Sequence, residues 1–165
     1  MRGTLALLAA AAALAAACAT YEPRYIEAYG HFGSGDAIAF KETSTLMVGP
    51  DGTTGNDTAI VRAIDPTEVQ LKGVEIQADL TQVAAGGSYQ SSHTGAGPLQ
   101  IRLHLPAPGG GTLDTVQYTA DGDLEVLELP VAGNNRFSGS FTNVVVNYDG
   151  QDVTIDNGTF RGQLP

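Results

Sequence analysis

Three histidines, a single cysteine and a few Asp-rich turns supply this chain's candidate bases, nucleophile and metal ligands. His31, His93 and His104 stand far apart, so a zinc ion would need donors gathered from distant loops. The chain has no Gly-x-Ser-x-Gly elbow and no His-Glu-x-x-His helix motif. What remains open to catalysis is a loop-built pair, His93 with Asp114 or Glu125, or His104 with a carboxylate. A general base of that kind needs a positioned partner and a cleft. The chain therefore reads as non-enzymatic, with an enzyme built around His93 or His104 as the alternative, and its histidines are expected to be exposed and solvated.

Oxygen-rich turns occur at "DGDLE" (Asp121, Asp123), "NYDGQD" (Asn147, Asp149, Asp152) and "PDGTTGND" (Asp51, Asn56, Asp57). Calcium takes about six to eight oxygens, and none of these stretches has the full loop with its closing Glu. Asp-Gly is first of all a turn signal. Asp121, Asp123, Asp149 and Asp152 are thus the calcium candidates of a chain read as holding no metal and no cofactor.

Cys18 ends a run made almost wholly of Ala and Leu, behind Arg2. A positive start, a short apolar stretch and small residues before a cut are the parts of a secretory signal. As a helix, Leu5 to Ala17 would reach only ~20 Å against a hydrocarbon core of about 30 Å, too short for a comfortable span. The segment Ala15-Ala16-Ala17-Cys18 resembles the lipobox of bacterial lipoproteins, in which small residues precede a cysteine that is lipidated and becomes the mature terminus. The resemblance covers the first 19 residues or so and implies removal of residues 1–17 and acylation of Cys18. With Ala19 rather than Asp after the cysteine, it also implies delivery to the outer membrane; a soluble periplasmic or secreted protein is the alternative. One acyl chain binds a bilayer only marginally, and several on one cysteine hold firmly. A lipidated Cys18 leaves no thiol for a disulfide or a Cys-zinc site.

Composition narrows the partners. Eight Lys plus Arg stand against 18 Asp plus Glu, a net charge of −10. Such a surface repels phosphate backbones, and nucleic acid is excluded as a partner. The membrane, through the lipid, and an envelope protein or a small ligand are the partners left; a passive structural lipoprotein is the alternative beside the envelope enzyme.

Behind a signal helix and a short tether (18–24), residues 25–165 read as one all-β domain. "LQIRLHL" puts Leu99, Ile101, Leu103 and Leu105 on one face and Gln100, Arg102 and His104 on the other; "GVEIQADL" repeats the pattern, with Glu75 on the wet side. Asp149-Gly150 and Asp121-Gly122, each between β-type runs, predict hairpin turns. Ala84 to Pro98 is the longest stretch without a strand pattern. The spacing predicts about nine to eleven strands in an antiparallel meander, closed as a small barrel or folded as a sandwich. Phe137 and Phe141 read as core residues of one strand face. "RFSGSF" and "NGTFRG" resemble strands of the small β-barrels in transferrin-binding-type surface lipoproteins, with Phe137, Gly139, Gly158, Phe160 and Gly162 as the matching positions. That resemblance implies a fold and no ligand.

Overall fold

The computed structural model describes residues 23–50, 57–131 and 133–165; the signal segment, Cys18, Asp51 and Asn56 lie outside them. The described residues form an all-β domain of ten strands: β1 Tyr25–Phe32, β2 Ala37–Thr43, β3 Thr45–Pro50, β4 Asp57–Ile64, β5 Gly73–Asp79, β6 Ser88–Ser91, β7 Leu99–Pro106, β8 Thr115–Glu128, β9 Arg136–Tyr148 and β10 Gln151–Gln163. The hydrogen-bonded order is β2-β1-β10-β9-β8-β7-β5-β4-β3, every pairing antiparallel, with β6 added beside β8. It is a meander in which β1 inserts next to the last strand.

Two places curl this sheet. Ser44 alone separates β2 from β3, and its backbone N–H donates to the Arg24 carbonyl at 3.2 Å, so one extended run serves β1 with its first half and β4 with its second. The second is β8, which pairs with β7 over Thr115–Ala120 and with β6 over Gly122–Glu125. The predicted turn at Asp121-Gly122 is therefore a crossing inside one long strand. Gly122 sits where the strands crowd, since a Cβ there would stand 3.0 Å from Val144 and 3.1 Å from Ile101, and a bulge with Asn143 at φ 54° adds the bend. The Asp149-Gly150 turn is present as predicted. Its φ angles of 50° and 79° are those of a type I′ turn, whose twist matches the flanking strands.

Alternation fills the interior. Leu99, Ile101, Leu103 and Leu105 from β7 and Val74, Ile76 and Ala78 from β5 are buried. β9 and β10 contribute a ladder in which large and absent side chains face each other: Phe137 pairs with Gly162, Gly139 with Phe160, and Phe141 with Gly158. A Cβ on Gly158 would lie 2.2 Å from the Phe141 ring, and one on Gly139 would lie 2.8 Å from Phe160. Phe137 and Phe160 meet edge to face at 5.0 Å, a favoured aromatic geometry. The glycines between these phenylalanines are thus the space the rings occupy.

Two further expectations are corrected. The stretch Ala84 to Pro98 contains β6, short and polar, which pairs with β8. His104 and Glu75, expected on a wet face, are buried there; Arg62 of β4, Arg102 of β7 and Gln117 of β8 gather on the Glu75 carboxylate.

Candidate functional site

With Phe137, Phe141 and Phe160 closing the interior, concave polar surface has to be sought on the outside. A groove of about 700 Å³ runs along β6, β8 and β9, lined by Ser88, Gln90, Asp123, Glu125, Ser140 and Thr142 over a floor of Leu124 and Phe141. Register explains the lining, since Ser88 faces Glu125, Gln90 faces Asp123, and Glu125 faces Ser140. Asp123 accepts from Asn143 Nδ2 at 2.9 Å and from Gln90 Nε2 at 3.3 Å. The left-handed Asn143 of the bulge is what brings its amide there. The groove offers carboxylates and hydroxyls, which suit hydrogen bonding to a polar ligand.

Beside it, Asp121 holds the loop after β6. One oxygen accepts the His93 backbone N–H at 2.8 Å, and the imidazole Nδ1 lies 2.9 Å from the other. These two bonds, the backbone one first, hold the Asp121 carboxyl below the usual range. His93 thus meets Asp121, not the Asp114 or Glu125 considered from sequence. Asp114 instead accepts the Gly111 N–H at 2.7 Å within the β7–β8 loop. Both partners of the His93–Asp121 pair are more than half exposed, and the contacts described give the imidazole an acceptor and no nucleophile.

The calcium candidates fall at separate places. Asp121 and Asp123 are in β8, engaged as described; Asp149 is in the β9–β10 turn and Asp152 just after it in β10, where it accepts from Asn147 at 3.1 Å. Among the described residues, no three His, Cys, Asp or Glu side chains gather as a metal site. His31 lies 3.5 Å from Asp156 on the surface.

A second polar constellation was missed from sequence. On the outer face of β4, β5 and β7, Arg62, Glu75 and Arg102 stand side by side in register. Glu75 is buried; its carboxylate takes Arg102 Nη1 at 2.9 Å and Gln117 Nε2 at 3.3 Å, with Arg62 at 3.9 Å. A buried charge persists only when paired, and this one has two guanidinium groups. The signal was present, because the alternation puts both Glu75 and Arg102 on the wet faces of their strands; only the register was lacking. At the edge of this face Lys72, also buried, donates to the carbonyls of Pro66, Glu68 and Thr112 at 2.6–2.7 Å, tying the β4–β5 loop to the β7–β8 loop.

His104 faces Gly73 and Gln117 in the neighbouring strands, and its Nε2 is buried without a hydrogen-bond partner among the described residues. Burial lowers its pKa, and the nearby Glu75 only partly opposes this. The imidazole is neutral in the fold and takes up a proton more readily in the unfolded chain. Stability from this group is complete above the unfolded pKa of about 6.5 and is lost as pH falls through the lower folded value. Urea unfolding at pH 7.5 and 5.5 is expected to show wild type weaker at 5.5 and His104→Leu with a smaller loss. Equal losses in both proteins would remove His104 as the cause.

Neither protein-family models, nor curated proteins, nor solved structures give a match to this chain.

Proposed function

We propose that this is a small lipid-anchored protein of the cell envelope, held at the outer membrane through Cys18, which acts by binding at its outer surface and not by catalysis. The observation that carries the reading is the placement of Cys18: three alanines precede it at the end of an apolar run, and the first strand begins at Tyr25. The partner is an envelope protein or a small polar ligand. The filled interior and the groove of β6, β8 and β9 support external binding, and the net charge of −10 argues against nucleic acid. Fractionation of cells expressing wild type and Cys18→Ala tests the anchor. Wild type is expected in the outer-membrane fraction and the variant in the soluble periplasmic one; the same distribution for both would overturn the reading.

A further inference from the structure

The end of the curled sheet where the chain enters β1 differs from the opposite end in charge. Among the described residues, four of the seven lysines and arginines lie there: Arg24, Lys41, Arg136 and Arg161. Register gathers them, since Tyr25 faces Arg161 on one side and Thr43 on the other, Glu27 faces Lys41, and Arg136 faces Gln163. Glu27 pairs with Lys41, and Glu128 lies 3.8 Å from Arg136. With Glu42 of β2 in the same band, four cations meet three carboxylates and this end is close to neutral in a strongly acidic protein. The far end, at the β1–β2 and β9–β10 turns, carries Asp36, Asp149 and Asp152.

Apolar and aromatic groups share the same band. Leu127 is 60% exposed and Val131, in the β8–β9 loop, 49%. Tyr25, Leu127 and Arg161 line one shallow depression, and the Lys41 ammonium sits 5.1 Å from the Tyr25 ring. A tyrosine, protruding aliphatic side chains and basic residues on one surface are the composition of a membrane interface. The tether leaves little freedom, for Cys18 to Tyr25 is a reach of at most ~25 Å.

We infer that this end of the curled sheet is a membrane-contact face, with Leu127 and Val131 entering the headgroup layer, the near-neutral band around Tyr25 and Lys41 lying against it, and the Asp-rich end turned away from the anionic surface. The occupant is the bilayer that holds the anchor, so the inference rests on the lipid-anchor reading. Its consequence is an orientation in which the groove of β6, β8 and β9 lies on the flank of a domain standing on the membrane.

The chain has no tryptophan, so a single one reports position. The chain from Cys18 onward, which holds every described residue, is coupled through that thiol to a maleimide phospholipid in vesicles of phosphatidylethanolamine and phosphatidylglycerol. Leu127→Trp is compared with Asp152→Trp. The indole at 127 is expected to shift its emission to the blue and to be quenched by brominated lipid at least about twofold more than the one at 152. Val131→Trp, at a second exposed position, is expected to follow Leu127→Trp should that variant fold poorly. Equal quenching at both ends, or none at 127 and 131, would overturn the contact face. Chemical coupling supplies the tether whatever the cell does, so failure of lipidation in vivo, read by mass, is a separate result.

Discussion

Replacing Gly158 with alanine lowers stability by at least ~3 kcal/mol, the upper part of the cost of forcing extra atoms into a packed core. The new Cβ would lie 2.2 Å from Phe141 Cζ and 2.6 Å from the Glu27 carbonyl oxygen. The ring can turn, but the oxygen belongs to β1, which is bonded to β10 through this register. Urea unfolding measures the loss, and Phe141→Leu combined with Gly158→Ala separates the two clashes. The double variant is expected to lose less than the sum of the single losses, since the residues share one space. A cost of less than ~1 kcal/mol for Gly158→Ala would mean that β9 and β10 are not packed in this register.

The second large effect falls on the outer face. Arg102→Ala is expected to cost about 3 kcal/mol, the lower end of breaking a buried pair, because Glu75 keeps its charge while its closest guanidinium is gone. Arg62, at 3.9 Å and partly exposed, offsets only part of this. Glu75→Gln combined with Arg102→Met is expected to cost less than Arg102→Ala alone, since no unpaired charge is left inside. Chemical denaturation of the two proteins checks the order, and the reverse order would mean that water already screens Glu75.

The elements that obey simple alternation were legible in the sequence. β5 and β7 follow from Val74-x-Ile76-x-Ala78 and Leu99-x-Ile101-x-Leu103-x-Leu105, and the last hairpin from Asp149-Gly150. Asp121-Gly122 misled because a tight turn and a strand crossing between neighbours want the same residue. Both favour a residue with little or no side chain, and only the partners Val144 and Ile101 reveal which is present. β6 was hidden for another reason: Ser88-Tyr89-Gln90-Ser91 has little apolar alternation, and its extended form comes from pairing with β8. The strand pattern placed Glu75 and His104 on the correct face. It carried no information about the strands packed beside them, or about the two arginines and Gln117 that gather on Glu75, so it gave exposure where the structure gives burial. The His93 partner depended on the same missing register, for Asp121 lies 28 residues away in sequence.

Intact mass of the protein extracted from membranes, wild type beside Cys18→Ala, reads the anchor itself. The wild-type chain is expected to begin at Cys18 and to carry acyl mass which the variant lacks. An unlipidated mature chain, with the thiol at residue 18 free or removed with the signal, would contradict it.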